Sequence, residues 1–182
     1  MLHNKLPMAF IFLCVLSVVT SCGSKVDSAK SSNSEVVAAK AVEEKAAQMQ
    51  KLAAQNSLKS LRKMAGAVKM GISFQEYGSR MIDLKSDVDE QVSQFSEGEL
   101  KQEVVLALEA YMDAKTAWMS GVQYEFLMGD FEPVKSLMLK YDVPKVVFRR
   151  IKGTQDKSVT LSVIWKVADE HIAKATQLLN KQ

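Results

Sequence analysis

Proline, glycine, cysteine and histidine are all scarce in this sequence. Its 182 residues include 3 Pro, 8 Gly, 2 Cys and 2 His. So few turn-forming residues argue against a β-rich chain with many turns, and a hydrophobic fraction of 47% argues against a disordered one. The formal net charge of +3 is too small to indicate a nucleic-acid partner. These absences leave an ordinary globular protein rich in helix.

The N-terminus has the parts of a secretory signal. Lys5 precedes an apolar run from Leu6 to Val19, and the small residues Thr20 and Ser21 follow it. A transmembrane helix needs roughly 20 apolar residues, and this run is shorter. We therefore expect residues 1–21 to be cleaved as a signal peptide.

The sequence Val19-Thr20-Ser21-Cys22 resembles the lipobox of bacterial lipoproteins. The resemblance implies that cleavage occurs before Cys22, and that this cysteine is lipidated on its sulfur and acylated, for example by palmitate, on its amine. It also implies a lipid-anchored protein of the cell envelope whose partner is a membrane. Gly23 is not the usual residue for inner-membrane retention, so the resemblance favours the outer membrane, with the protein facing the periplasm.

The mature chain is predicted to contain one domain. Residues 22–34 include many Ser, Lys and Asn residues, which is typical of a flexible tether behind a lipidated cysteine. Residues 35–182 form the predicted domain, which is long enough to bury a core. Because Cys14 is removed and Cys22 carries lipid, we expect no disulfide and no cysteine-based metal site there.

Helical spacing of apolar residues predicts an all-α fold, an up-and-down bundle of about four helices with one longer irregular connection. The first segment, residues 35–70, changes phase at Asn56-Ser57, which indicates either a bend or a new helix capped by Ser57. The predicted stripes are Val42, Ala46, Met49 and Ala53; Leu58, Leu61, Ala65 and Val68; Tyr77, Met81, Leu84, Val88, Val92 and Phe95; Leu100, Val104, Ala107, Tyr111, Ala114, Trp118 and Val122; and Leu161, Trp165, Ala168, Ile172, Ala175 and Leu179.

Local signals predict where the segments begin and end. Ser73 and Glu76 form a capping box at the start of the second segment. The third segment is expected to continue toward Met128 and stop at Gly129, and the fourth to start near Asp156.

The long connection carries the most distinctive surface. A short helix is expected after Pro133, and Val146-Val147-Phe148 is typical of extended chain. The basic residues Lys145, Arg149, Arg150, Lys152 and Lys157 adjoin this apolar triplet. Such a surface can contact anionic head groups, an anionic ligand or an acidic partner, and a solvated loop is the alternative. We predict binding at Arg149, Arg150, Lys152 and Phe148, within residues 129–153.

No catalytic constellation is visible in the mature chain, so we expect no enzyme activity. Its single histidine, His171, lies at the flank of an apolar stripe and is interpreted as a boundary residue, with haem ligation or general-base chemistry as the alternative. The carboxylates of Asp87, Asp89 and Glu90 are expected on a solvated helix face, since adjacent residues of a helix point apart. We expect no cofactor and no metal.

The sequence thus predicts a membrane-anchored periplasmic lipoprotein that acts as a binding or accessory module for a protein partner or a small ligand. The alternative is a carrier or sensor that encloses a small apolar ligand or haem within the bundle. That alternative would use Trp118, Trp165 and His171, with Met49, Met64 or Met70 as a second haem ligand. Core filling is the simpler explanation for the methionines and tryptophans.

Overall fold

The computed structural model describes residues 31–181, with side chains from Val37 onward. The predicted signal, Cys22 and the first part of the tether lie outside these residues. The chain divides into two units at Ala39 and Lys40, and the described part of the first unit is the start of a helix. The helices and strands are α1 (Ser31–Met70), α2 (Phe74–Val92), α3 (Glu99–Met119), β1 (Phe126–Met128), α4 (Val134–Lys140), a 3₁₀ turn (Phe148–Arg150), β2 (Thr154–Asp156) and α5 (Lys157–Asn180).

The predicted helical bundle is confirmed in the second unit. α1 contacts α2 through a hydrogen bond from Ser60 Oγ to Asp87 Oδ2 (2.9 Å), and it contacts α5 through one from Arg62 Nη2 to Thr176 Oγ1 (2.6 Å). The helices α2 and α3 are adjacent, and α3 and α5 pack most closely. None of the helices in residues 31–181 is both long enough and apolar enough to cross a membrane.

The core follows most of the predicted stripes, but Val122, at the end of the stripe of the third segment, is 42% exposed. Tyr77, Val88, Val104 and Ile164 are fully buried at the centre of the bundle. The close approach of α3 and α5 has a simple cause, because both helices contribute small buried side chains: Ala107, Ala110, Ala114 and Ala117 on α3, and Ala168 and Ala175 on α5.

The helix α1 differs from the sequence expectation at its midpoint. It is continuous from Ser31 to Met70, so Ser57 caps no second helix and instead lies fully buried. The apparent change of phase does not interrupt the helix, because Ala54 and Ser57 are buried and continue the apolar face from Ala53 to Leu58. Residues 37–49, including the predicted stripe residues Val42, Ala46 and Met49, are exposed. The helix also begins within the predicted tether, at Ser31.

The predicted starts of α2 and α5 are confirmed by their capping bonds. Ser73 Oγ accepts a hydrogen bond from Glu76 N at 3.2 Å, although the Glu76 carboxylate pairs with Arg80 instead of returning to the cap. At α5, Asp156 Oδ1 accepts from Val159 N at 3.1 Å. Each cap satisfies a backbone N–H that has no partner within its helix.

The predicted end of α3 is wrong. The helix ends at Met119, and residues 126–128 form β1, which pairs antiparallel with β2 so that Leu127 lies opposite Gln155. The buried Gly121 lets the chain turn back sharply, since a Cβ atom there would lie 2.5 Å from the carbonyl oxygen of Phe126. The β1–β2 pair closes the long connection into a small subdomain at one end of the bundle.

Within this subdomain, several segments are held by hydrogen bonds from side chains, because little of its backbone is paired in helices or strands. The predicted short helix is α4, held to α3 by a 2.7 Å bond from the Tyr141 hydroxyl to Asp113. The buried Gln155 amide donates to Pro144 O (2.9 Å), and its oxygen accepts from Val146 N (3.0 Å). Of the predicted extended triplet, Val147 has extended backbone, whereas Phe148 begins the 3₁₀ turn. The segment before that turn is therefore fixed by the Gln155 side chain together with a backbone bond from Asp156 N to Val146 O (2.8 Å).

Candidate functional site

An open, largely apolar groove lies where the connection meets the bundle. We call it the aromatic groove, and its volume is about 470 Å³. It is lined by Trp118, Glu125, Phe148, Asp156, Lys157, Ser158, Leu161 and Trp165. Its size falls within the range of small-molecule sites, and its mixture of aromatic walls and a few polar groups is typical of them. The groove joins the ends of α3 and α5 to the 3₁₀ turn.

The floor of the groove belongs to a cluster of aromatic rings from three helices. Trp118 and Trp165 meet edge to face with 5.7 Å between ring centroids, and Tyr77 lies 5.5 Å from Trp118. Trp165 Nε1 donates to the Tyr77 hydroxyl (3.2 Å), which donates in turn to Tyr111 O (2.8 Å). Burial raises the pKa of Tyr77 well above its ordinary value. The hydrogen bond from Trp165 and the ring packing of Trp118 hold the two half-buried indoles in place beneath the groove.

The outer wall is formed by Phe148 and its neighbours. The Phe148 ring lies 5.6 Å from Phe126, and the guanidinium of Arg149 lies 4.9 Å from the centroid of the Phe148 ring. Arg149 Nη2 is 3.0 Å from Glu125 Oε2, so this arginine is both paired and stacked. Because both partners of the ion pair are largely exposed, its main effect is to position the wall and not to stabilise the fold.

The inner rim is the beginning of α5. Hydrogen bonds from the Ser158 hydroxyl and from Val159 N lower the pKa of Asp156, which stabilises its carboxylate form. The Lys157 ammonium donates to the carbonyl oxygens of Gly121 and Tyr124. The lysine therefore ties α5 to the chain that leaves α3, while a carboxylate remains at the rim.

The structure brings together some of the predicted binding residues and separates others. Phe148, Trp118 and Trp165 line the aromatic groove, and Arg149 supports its wall. Lys152 lies outside it, in a shallow pocket of about 200 Å³ that also contains Lys145 and Asp130. Arg150 is exposed on the 3₁₀ turn and does not line the groove.

His171 is also separate from the groove. Its Nδ1 lies 2.5 Å from Glu103 Oε2, and both side chains are mostly buried between α5 and α3. Of the methionines considered as a second haem ligand, Met49 and Met70 are largely exposed and Met64 is buried. Among residues 31–181, no group of three or more His, Asp or Glu side chains is arranged to hold a metal ion.

Five residues that line the groove were not among the predicted binding residues: Glu125, Asp156, Lys157, Ser158 and Leu161. Leu161 appeared in the sequence only as part of a core stripe, and Glu125 carried no signal because its role depends on Arg149, 24 residues later. Asp156 was visible as a helix start, which gives no indication of a nearby ligand site. The sequence signs of the groove were therefore Phe148 and the two stripe tryptophans, and no local pattern indicated that they come together.

Comparisons with known protein families, with curated proteins and with solved structures find no match to this chain.

Proposed function

We propose that this protein is a lipid-anchored binding module of the bacterial envelope, with the aromatic groove as its ligand-holding surface. The observation that carries the proposal is the convergence of Trp118, Trp165 and Phe148 on one open groove. Three aromatic side chains that remain partly accessible provide a large apolar contact area, and such surfaces are common in binding sites.

The polar rim restricts what the groove can hold. The apolar body of a ligand would lie against the indoles and Leu161, and a polar end would face Glu125 and Asp156. The bundle interior is filled by large buried side chains such as Tyr77 and Tyr111, whereas the groove is open to solvent. Binding at the end of the bundle therefore requires no repacking of the core, which favours the binding module over a carrier with an enclosed ligand.

The protein contains an intrinsic reporter for this site, because both of its tryptophans line the groove. We expect N-phenylnaphthylamine, an uncharged aromatic probe, to bind saturably and to receive energy from tryptophan fluorescence. Phe148→Ala removes one wall and should weaken binding about tenfold or more, as expected for losing the contact area of one aromatic side chain. Titration of the full chain with the probe measures both effects.

Phe131→Ala is the matched control for this experiment. Phe131 is an exposed phenylalanine of the same connection that does not line the groove, so probe affinity should be unchanged. Equal affinities for the Phe148 and Phe131 variants would reject the groove. A molecule that copurifies with the protein and stays bound in both variants, seen as extra mass by native mass spectrometry or as a haem band, would favour the carrier.

The anchor is tested separately. Cells supplied with radiolabelled fatty acid should label the wild-type chain, and Cys22→Ala should abolish the label because no other cysteine follows it. Persistent labelling of this variant would overturn the lipid anchor and leave the groove proposal untouched.

A further inference from the structure

The eight residues Lys145–Lys152, called here the basic loop, combine cationic and apolar side chains on one exposed segment. Four residues are basic and none is acidic. Val147 and Ile151 are 50% and 48% exposed. The basic loop therefore presents both chemistries to solvent within a few residues.

The charge of the basic loop is only partly neutralised by the protein. Arg149 pairs with Glu125, but Lys145, Arg150 and Lys152 form no ion pair within residues 31–181. Asp130 shares a pocket with the two lysines and lies beyond ion-pair distance of them. Three cations thus remain available to an external anionic surface.

The backbone of the basic loop is held in an unusual conformation. Arg149 and Arg150 have φ values of 45° and 64°, a region that residues other than glycine rarely adopt. The buried Gln155 amide and the Thr154 hydroxyl, which donates to Ile151 O at 2.6 Å, fix the chain on both sides. Strained segments that the surrounding structure holds in place cluster at functional positions.

The position of the basic loop leaves it open to a flat surface. Gln50 of α1 bonds to Ser96 in the turn between α2 and α3, so α1 enters the bundle at the end that contains this turn. The contact of Phe74 with Trp118 places the long connection at the other end. The turn between α1 and α2, residues 71–73, lies at the same end as the basic loop.

We propose that the basic loop binds the surface of an anionic lipid bilayer. Lysine and arginine are attracted to anionic head groups, and exposed aliphatic side chains enter the head-group boundary beside them. An acidic protein would satisfy the cations but would need matched apolar positions, whereas a bilayer offers both chemistries at every point. This proposal does not depend on occupation of the aromatic groove.

The test uses the full chain in two populations of vesicles, because the apolar N-terminal run can insert by itself. The protein is first incorporated into phosphatidylcholine vesicles, and sucrose-loaded vesicles are then added, either of phosphatidylcholine alone or with a minority of phosphatidylglycerol. We expect co-sedimentation only with the anionic population, and its loss as salt is raised from about 0.05 M to 0.5 M. A chain that does not enter the first vesicles is sedimented directly with the second population, with the same results expected.

Arg150→Glu with Lys152→Glu should weaken this association about tenfold or more. Lys51→Glu with Lys59→Glu produces the same net charge on exposed residues of α1 and should leave it unchanged. Equal losses in the two double variants, or no loss in the first, would overturn the proposal. Capture of polyglutamate as tight as capture of anionic vesicles would also overturn it, in favour of an acidic protein partner.

A third variant tests the apolar half of the proposal. Val147→Ser with Ile151→Ser keeps all four cations and should weaken vesicle binding severalfold while its salt dependence persists. Unchanged binding by this variant would show that the apolar side chains do not enter the bilayer. Only the attraction between the cations and the head groups would then remain of the proposal. The helical circular dichroism signal of all these double variants should equal that of the wild type, which confirms that they fold.

Discussion

At the scale of single residues, the hydroxyl of Ser57 is the clearest local imperfection of the core. It is the only buried side-chain polar atom in the described part of the chain without a hydrogen-bond partner. A buried polar group without a partner loses its bonds to water and gains nothing in return. Its position in the middle of the continuous α1 means that it serves as no helix cap.

We predict that Ser57→Ala increases the free energy of unfolding by about 1 kcal/mol, since it removes the unpaired hydroxyl and improves helix propensity. Denaturant unfolding measures the change. Ser60→Ala is the control on the same helix, because Ser60 bonds to Asp87 and sits at a less buried position. If Ser57→Ala gains no more stability than Ser60→Ala, the Ser57 hydroxyl has a partner in solution.

At the scale of elements, the end of α3 decides where the groove forms. The chain leaves the helix at Ser120, and Gly121 approaches the backbone of β1 too closely for a side chain. Two atoms, Phe126 O and Leu127 Cδ2, would lie 2.5 and 2.8 Å from a Cβ atom at this position. The turn thus brings β1 and its neighbour Glu125 back beside the beginning of α5.

Replacing Gly121 tests this close approach. Gly121→Ala should lower the free energy of unfolding by about 1 to 3 kcal/mol, because the backbone of β1 must move. Gly66→Ala is the matched substitution inside α1, where a Cβ atom would meet nothing within 4 Å, and it should raise the stability by roughly 0.5 to 1 kcal/mol. Thermal and denaturant unfolding of both variants provide the comparison, and a neutral Gly121→Ala would contradict the tight turn.

At the scale of the whole molecule, buried tyrosines link the helices of the bundle. The Tyr77 hydroxyl of α2 connects Trp165 of α5 with the backbone of Tyr111 on α3. Burial raises the pKa of both tyrosines well above the ordinary value, and the negative charge of Asp169 raises that of Tyr111 further. Both side chains therefore stay protonated in the folded protein at pH values where the unfolded chain loses those protons.

The linkage predicts a loss of stability at alkaline pH. Below about pH 10 both states hold the tyrosine protons, so the contribution to stability is complete there. Above that pH the unfolded state ionises first, and the free energy of unfolding should fall by roughly 1.4 kcal/mol per pH unit for each buried tyrosine. Denaturant unfolding across this range measures the slope. Tyr77→Phe should reduce this slope by the contribution of one tyrosine. An unchanged slope would show that Tyr77 does not contribute to the pH dependence of the free energy of unfolding.

Much of the helical framework could be predicted because helix formation is local. The stripes from Tyr77 to Val88 and from Leu161 to Leu179 repeat with the helical period, and both face the core as expected. The caps at Ser73 and Asp156 act through the backbone three residues away, so the sequence contains their entire signal. For the same reason Phe148, Trp118 and Trp165 could be identified as candidates one at a time.

The assembly of the site was decided by tertiary structure. Strand β1 pairs with residues 26 to 30 positions further along the chain, and α3 ends before this strand, earlier than its periodicity suggested. The groove joins Trp118, Phe148 and Trp165, which no local pattern relates, and it separates them from Arg150 and Lys152. Local periodicity determined which faces are apolar, whereas only the packing of distant segments determined which apolar side chains remain accessible together.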